Sequence, residues 1–190
     1  MLKTWRKLWL SGKTLPLTTV AIIGAGPLGR WLALSAAKAG CRVLLEDVMP
    51  ASLHHARETL RQQLSPAALP MVSFVSTIED AVREADLVVD CVPDELESKL
   101  EILWLLDRMA PPRTVLATPT TRLSIGDLAA CTYRPGKCVA IAAEARDLAE
   151  NPASALLLRT TAQTTPETVS LMDAFWQQLG FTPRFESEPA

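Results

Sequence analysis

A glycine-rich turn between a strand-like run and a helix-like run is the feature that most constrains this fold. The turn reads V-A-I-I-G-A-G-P-L-G-R and sets Gly24, Gly26 and Gly29 in a Gly-x-Gly-x-x-Gly spacing. Residues 18–23 before it are rich in β-branched and apolar side chains, and residues 27–39 after it carry apolar side chains on one side of a helix. A strand, a glycine turn and a helix in this order are typical of the first unit of a dinucleotide-binding domain.

Each position of this turn has a physical role in holding a dinucleotide. Gly24 permits the tight turn, Gly26 lets the backbone approach a pyrophosphate, and Gly29 lets the helix pack closely on the strand. The first helical turn begins with Pro27 and Leu28 and presents free N–H groups to the phosphates, and the missing donor of Pro27 is not needed there. The sequence therefore predicts cofactor contacts at these five residues.

The end of the second predicted strand indicates which dinucleotide binds. This strand covers residues 42–45 and is followed by Glu46 and Asp47. Asp47 is the predicted acceptor for the adenosine ribose hydroxyls, and no Arg or Lys follows it closely to neutralise a 2′-phosphate. NAD is therefore predicted rather than NADP. Glu46 is the alternative acceptor, because an error of one residue in the strand end would exchange the two carboxylates.

Length and composition fit one globular domain that does not bind nucleic acid. The chain has 190 residues, a formal net charge of −2 and 48% apolar residues, so it has no overall positive field. His54 and His55 are adjacent on a predicted helix and point in different directions, and the four cysteines lack the spacing of a metal site. We interpret the cysteines as reduced thiols of a cytoplasmic protein and expect no metal.

Residues 1–17 form a basic amphipathic N-terminal segment. Its basic residues are Lys3, Arg6, Lys7 and Lys13, and its apolar residues include Leu2, Trp5, Leu8, Trp9 and Leu10. The apolar stretch is too short for a secretory signal or a membrane span. Three interpretations stay open: a helix folded over the open face of the domain, a segment that docks on a protein partner, and a weak anchor at a membrane surface.

Strand-like and helix-like runs alternate through the rest of the chain. Further strands are predicted at 71–75, 86–92, 114–118, 138–142 and 181–185, with a possible one at 156–160. Helices are predicted at 50–64, 77–83 and 165–179. A further helix is predicted to start at Asp94, which forms a capping box with Glu97, and to end before Pro111. This alternation predicts a Rossmann-type α/β fold, a doubly wound and mostly parallel sheet with helices on both faces. The predicted domain covers residues 18–186, and residues 187–190 form a tail.

Four segments resemble, in chain order, the NAD-binding domain of the 3-hydroxyacyl-CoA dehydrogenase family. They are the glycine turn, the second strand with Asp47, the run A-D-L-V-V-D-C-V-P-D at 85–94 with the lysine that follows it, and the run A-T-P-T-T-R-L at 117–123. The NAD contacts that the resemblance implies in the last two runs are Val92, Pro93, Asp94, Lys99 and Thr118. Asp94 stands where the family has a glutamate beside the nicotinamide, and Thr121 stands where a family serine touches substrate.

Departures from the family fall where its catalytic residues would stand. The resemblance puts Ala142 at the position of the histidine that takes the substrate proton, Ala145 at that of an asparagine, and the run Leu156–Leu158 where a glutamate orients the histidine. An alanine cannot act as a general base. The helical hairpin that contacts coenzyme A in the family, and the C-terminal domain that forms its dimer, are also expected to be missing.

Three functions follow as alternatives from these observations. The first is an NAD(H)-binding protein that has no hydroxyacyl-CoA turnover on its own and serves as a sensor, carrier or partner subunit. The second is an active NAD-dependent oxidoreductase completed by a partner chain or a missing domain, with a homodimer possible by analogy with the family. The third is an interaction module that has lost nucleotide binding and uses the N-terminal segment to bind another protein.

Overall fold

Eight strands form one sheet in the computed structural model, which describes residues 19–143, 148 and 155–188. The strands are β1 (Thr19–Ile23), β2 (Arg42–Glu46), β3 (Val72–Val75), β4 (Leu87–Asp90), β5 (Val115–Pro119), β6 (Cys138–Ile141), β7 (Ala155–Thr160) and β8 (Thr182–Ser187). The main helices are α1 (Pro27–Lys38), α2 (Pro50–Gln63), α3 (Ile78–Val82), α4 (Leu96–Met109), α5 (Ile125–Ala130) and α6 (Pro166–Gln178). The predicted amphipathic segment at 1–17 lies outside the described residues.

The sheet has the order β3-β2-β1-β4-β5-β6-β7-β8. All neighbouring strands are parallel except β6 and β7, which are antiparallel, so β7 and β8 run opposite to the other six. The predicted Rossmann-type, doubly wound and mostly parallel sheet is confirmed. Its strand order reverses between β1 and β4, and ligands of such sheets bind in the crevice at the carboxyl ends of the strands on either side of that point.

Helices cover both faces of the sheet, and a separate apolar core fills the space on each side. Alternation along β1 directs Val20 and Ile22 to the core beneath α1, α2 and α6, and Ala21 and Ile23 to the core beneath α3, α4 and α5. Every residue of β1 and β4 is buried. Central strands that are buried on both faces account for the continuous apolar runs in the sequence.

Proline marks the start of three helices, as the sequence indicates, but the start of α4 differs from the prediction. Pro27, Pro50 and Pro166 are the first residues of α1, α2 and α6. The predicted capping box of Asp94 and Glu97 is wrong, because α4 has Glu95 at its N-cap and no side-chain capping bond. The Asp94 carboxylate instead accepts a hydrogen bond from the N–H group of Thr121.

The helices of the described residues are those of a sheet-covering α/β domain. Within that part of the chain, no helix has the length and apolar character needed to cross a membrane.

Candidate dinucleotide-binding site

The three glycines of the turn each meet a different steric demand. Gly24 has φ +104°, a left-handed conformation that favours glycine, and its N–H group donates to the carbonyl of Glu46 at 2.8 Å. A Cβ on Gly29 would lie 1.9 Å from the carbonyl oxygen of Gly24, so only glycine lets α1 sit this close to β1. A Cβ on Gly26 would meet nothing within 4 Å.

The space beside Gly26 is open, as the predicted contact with a pyrophosphate requires. Gly26 is the N-cap of α1, where the N–H groups of Leu28 and Gly29 have no partner within the helix. These donors and the positive end of the helix dipole face the space that a side chain at Gly26 would fill. Pro27 is exposed at the start of the helix and supplies no N–H group.

Asp47 fastens the glycine turn to the end of β2. Its Oδ2 atom accepts the N–H group of Ala25 at 2.8 Å, and its Oδ1 atom accepts that of Met49, also at 2.8 Å. Each carboxylate oxygen has a second lone pair that can accept a ribose hydroxyl. Asp47 is half-buried beside the turn, as expected for the predicted ribose acceptor.

Glu46, the alternative acceptor, lies on the other face of the sheet. The residue is only 2% exposed, and its Oε1 atom has no hydrogen-bond partner within the described ranges. Burial, together with the nearby charge of Asp47, raises the pKa of Glu46 to about 7. The geometry therefore favours Asp47 over Glu46 as the carboxylate beside the turn.

A cleft of about 450 Å³ continues from the glycine turn across the carboxyl ends of β4, β5 and β6. Its lining residues are Leu28, Val92, Asp94, Pro119, Thr120, Thr121, Arg122 and Ala143. Four of the predicted site residues thus come together here: Leu28, Val92, Asp94 and Thr121. Pro93 is exposed and lies in a shallow groove against α4 instead. A larger groove of about 610 Å³ near α5 contains none of the predicted site residues.

Lys99 and Thr118, two predicted cofactor contacts, are completely buried and do not line this cleft. The Nζ atom of Lys99 lies 2.6 Å from Oδ1 of Asp90, whose pKa is raised by burial, an effect that the charge of Lys99 opposes. The hydroxyl of Thr118 and the N–H group of Val92 also interact with the Asp90 carboxylate and lower its pKa. The contacts of Lys99 and Thr118 with NAD stay predictions.

The sequence analysis assigned no role to Asp90 or Arg122. Only for Asp90 does the sequence contain a pattern that could have indicated one. Lys99 stands one and two helical turns before Leu103 and Leu106, which predicts that its side chain faces the core. A lysine on a core-facing stripe needs a carboxylate partner, and Asp90 closes the buried strand beside it. Arg122 lies in a loop, where no periodic pattern indicates which way a side chain points.

Ala142, at the position that the resemblance assigns to a histidine, faces Leu157 across β6 and β7, and Leu157 is the middle residue of the run to which the resemblance assigns a glutamate. The N–H group of Ala142 donates to the carbonyl of Leu157 at 3.0 Å, which continues the pairing of Ile141 with Leu158. Both side chains are apolar. The two histidines of the chain, His54 and His55, are exposed on α2, and Ala145 lies outside the described residues.

The described residues hold no group of three or more histidines, cysteines and acidic side chains that could bind a metal ion. The four cysteines are free thiols, and burial raises the pKa of Cys41 and Cys138 to about 11. These two thiols therefore stay protonated near neutral pH.

Comparison with known proteins places the chain from β1 to the start of β8 in one family. The family described as 3-hydroxyacyl-CoA dehydrogenase, NAD binding domain, matches residues 19–183. A probable 3-hydroxybutyryl-CoA dehydrogenase of Bacillus subtilis is 32% identical over 133 residues, which cover 63% of this chain and 46% of that protein. An L-carnitine dehydrogenase of Burkholderia mallei is 35% identical over 131 residues, or 64% of this chain and 40% of the relative. The chain therefore spans less than half the length of these two relatives.

Solved structures agree with this assignment. A diketoreductase has a TM-score of 0.80 and 26% identity, with 93% of this chain and 67% of the diketoreductase covered. The (S)-3-hydroxybutyryl-CoA dehydrogenase of Ralstonia eutropha has a TM-score of 0.81 over 91% of this chain and 64% of its own, and at 23% identity it supports the fold. Together with the glycine turn, Asp47 and the adjoining cleft, these matches show that the chain belongs to the 3-hydroxyacyl-CoA dehydrogenase family and carries its NAD-binding domain.

Proposed function

We propose that this chain binds NAD(H) and does not turn over hydroxyacyl-CoA on its own. The observation that carries the proposal is the combination of an open dinucleotide turn with a cleft that adjoins Ala143 and has Ala142 next to it. The turn retains the features that binding requires. The cleft lacks the histidine with which the family, by the resemblance, takes the substrate proton.

The binding half of the proposal assigns NAD to the crevice above β1, β2 and β4. The N–H groups at the start of α1 would hold the pyrophosphate, and Asp47 would accept the adenosine ribose hydroxyls. Val92 and Asp94 line the cleft that the nicotinamide half would enter. NAD, when bound, exchanges a hydride at its nicotinamide ring.

The catalytic half of the proposal rests on the absence of the histidine that the resemblance makes the base of the family. General base catalysis needs a side chain within hydrogen-bond reach of the substrate hydroxyl. Ala142 has no titratable atom, Leu157 faces it across the strand pair, and both histidines of the chain lie on α2. We therefore expect no dehydrogenation of hydroxyacyl-CoA by this chain in isolation.

Titration with reduced dinucleotides tests the binding half directly. The five tryptophans of the chain allow binding to be followed by fluorescence. We expect saturable NADH binding and NADPH binding at least tenfold weaker (roughly 1.4 kcal/mol), because Asp47 repels a 2′-phosphate. An Asp47→Ser variant should bind NADH more weakly, and an Asp127→Ser variant on α5 should match the wild type. Tighter binding of NADPH than NADH would contradict the assignment.

A second candidate is an active NAD-dependent oxidoreductase completed by a further domain or a partner chain, including a second copy of this chain. The match to less than half of its curated relatives favours this candidate. NADH oxidation with acetoacetyl-CoA or small keto acids, measured with and without added partner proteins, separates the two candidates.

We also propose, from the free thiols and from the basic apolar pattern of residues 1–17, a cytoplasmic location and a protein partner for that segment. An interaction module without nucleotide binding, the remaining alternative, predicts that NADH gives no saturable signal.

A further inference from the structure

We propose that residues 1–17 of this chain dock on the outer side of α4, with their apolar side chains against Trp104 and their basic side chains beside Glu97 and Glu101. The inference goes beyond the proposed binding of NAD(H), because it gives the N-terminal segment a place on the domain. A protein partner of residues 1–17 would compete with this contact.

Exposed hydrophobic side chains concentrate at α4. Those that are large and exposed among the described residues are Val48, Met49, Leu96, Trp104, Met109 and Tyr133. Three of them belong to α4, and the N–H group of Tyr133 donates to Oδ2 of Asp107, on the same helix, at 2.9 Å. Hydrophobic side chains that are exposed singly need no explanation, but a concentration of them on one helix indicates an interaction surface.

The outward stripe of α4 is acidic toward its start and aromatic toward its end. Four exposed residues form this stripe at spacings of four, three and four: Glu97, Glu101, Trp104 and Arg108. The guanidinium of Arg108 lies 4.5 Å from the centre of the Trp104 ring, so its charge is held on the aromatic half. The carboxylates of Glu97 and Glu101 form no ion pair within the described ranges. We call the four stripe residues, together with Leu105 and Met109, the α4 face.

The N-terminal segment complements the α4 face in charge and in apolar pattern. Residues 1–18 contain no acidic residue, and their basic residues are Lys3, Arg6, Lys7 and Lys13. Apolar residues recur at spacings of three and four, which puts them on one side of a helix: Leu2, Trp5, Leu8 and Trp9. Burial of these side chains against the α4 face removes apolar surface of both partners from water.

The segment joins the sheet beside the end of α4. The N–H group of Thr19, the first residue of β1, donates to Oδ2 of Asp86 at 3.1 Å. The Nε atom of Arg113 lies 3.4 Å from Oδ1 of the same carboxylate, and Arg113 follows closely after Met109, the last residue of α4. The start of β1 and the end of α4 therefore meet at Asp86.

Length and direction also fit this contact. Residues 14–18 span up to about 17 Å when extended, which reaches from β1 to the end of α4. The 14 residues of α4 extend over about 21 Å, and residues 1–13 would cover about 20 Å as a helix. Going back along α4 from its end, Trp104 comes before Glu101 and Glu97. Going back along the segment, Trp9 comes before Arg6 and Lys3, in the same order of aromatic and charged groups.

A groove beside the α4 face offers room for one side chain of the segment. It has a volume of about 270 Å³ and is lined by Val92, Pro93, Ser98, Glu101, Ile102 and Leu105. Small-molecule sites begin at about 300 Å³, so the groove suits a single apolar side chain better than a separate ligand.

Zero-length crosslinking of the full chain tests the contact. A carbodiimide joins a lysine amine to a carboxylate that touches it, and mass spectrometry identifies the linked pair. We expect links from Lys3 or Lys7 to Glu97 or Glu101, with a yield roughly fivefold lower in about 0.5 M NaCl, because salt screens exposed charges. If these links do not form, or if the segment links equally to acidic residues of other helices, the proposal is wrong.

An equal mixture of unlabelled and ¹⁵N-labelled chains identifies which copy supplies the segment. Contact within one chain gives linked peptides that are both unlabelled or both labelled. Linked peptides of mixed labelling would show that a second copy occupies the α4 face, and they would overturn the contact proposed within one chain.

Variants of the α4 face test the same contact through the rate of trypsin cleavage after Lys7. Trp104→Ser and Glu101→Lys should each raise this rate at least fivefold, because a segment that is not docked is open to the protease. Val48→Ser and Glu58→Lys are the matched controls, since Val48 is exposed in the loop before α2 and Glu58 is exposed on α2. Both controls should match the wild type.

Equal cleavage rates in the wild type, the two face variants and the two controls would overturn the proposal. Urea denaturation shows which variants fold. If Trp104→Ser does not fold, Glu101→Lys decides the cleavage test, because the side chain that it replaces is exposed. None of these measurements needs NADH, so their outcome is independent of the proposed function.

Discussion

Glu46 and Asp47 are neighbours in the chain, but their carboxylates experience different environments. Alternation at the end of β2 sends Glu46 into the core face beneath α3 and leaves Asp47 beside the glycine turn, where backbone N–H groups satisfy it. The sequence alone could not choose between them as ribose acceptor, because one residue of uncertainty in the strand end reverses the faces. The structure distinguishes them by the hydrogen bonds of Asp47 and the burial of Glu46.

Glu46→Gln is predicted to change how stability depends on pH. Folded protein holds a proton on Glu46 up to about pH 7, whereas the unfolded chain releases it near 4.5. Between these values the folded state binds more protons, so the wild-type free energy of unfolding falls as pH rises, by about 1–3 kcal/mol. Gln carries no charge, so urea denaturation should show Glu46→Gln gaining stability relative to wild type from pH 5 to pH 8. If the free energies of unfolding of the two proteins change with pH in parallel, the prediction is wrong. Glu58→Gln is the control, because Glu58 is exposed on α2.

The buried pair of Lys99 and Asp90 is predicted to be costly to break from one side only. Lys99→Met leaves the Asp90 carboxylate in the interior without its cation, which should reduce the free energy of unfolding by about 3–5 kcal/mol. Asp90→Asn together with Lys99→Met removes both charges and should recover at least half of that loss. Urea denaturation of the wild type, the two single variants and the double variant gives the coupling energy. If the double variant loses as much free energy of unfolding as the two single variants together, the pair is not coupled.

At the scale of elements, local signals predicted the unit that carries the glycine turn. The unit of β1, the glycine turn, α1 and β2 is contiguous in sequence, and each of its boundaries has a residue that explains it, such as Pro27 or the left-handed Gly40. The start of α4 could not be predicted in the same way. Asp94 has the character of a helix cap, but its carboxylate is drawn to Thr121, 27 residues further along the chain. Long-range competition of this kind leaves no local pattern.

Two glycines of the turn are predicted to separate stability from binding. Gly29→Ala forces a Cβ against the carbonyl of Gly24 and should lower the free energy of unfolding by about 3 kcal/mol. Gly26→Ala has room, and its φ of −65° suits alanine, so stability should change by less than about 1 kcal/mol. Its Cβ nevertheless occupies the space for the pyrophosphate, and NADH should bind at least tenfold more weakly. Urea denaturation and NADH titration of both variants check this, and wild-type affinity in Gly26→Ala would contradict the site.

At the scale of the whole molecule, the alternation of strands and helices predicted the parallel part of the sheet but not the reversal at β7. The N-terminal six strands follow from alternation, because each apolar strand is followed by a covering helix or turn. The antiparallel contact of β6 with β7 joins Ala142 to Leu157 across residues 144–147 and 149–154, which are not described. Only the assembled sheet shows that Ala142 and Leu157 are direct neighbours.

This pairing gives a prediction about restoring a catalytic pair. Continuation of the β6–β7 register puts the side chains at 142 and 157 on the same face, so Ala142→His with Leu157→Glu should bring an imidazole next to a carboxylate. In the double variant the pKa of the imidazole, measured by NMR, should be about 1 unit higher than in Ala142→His alone, because the carboxylate favours the charged ring. Ala142→His alone should oxidise no NADH with acetoacetyl-CoA, since Leu157 opposite the new ring is apolar and supplies no orienting acid. Turnover by the single variant would contradict the need for an orienting acid. An imidazole pKa that is the same in the single and the double variant would show that the two positions are not paired.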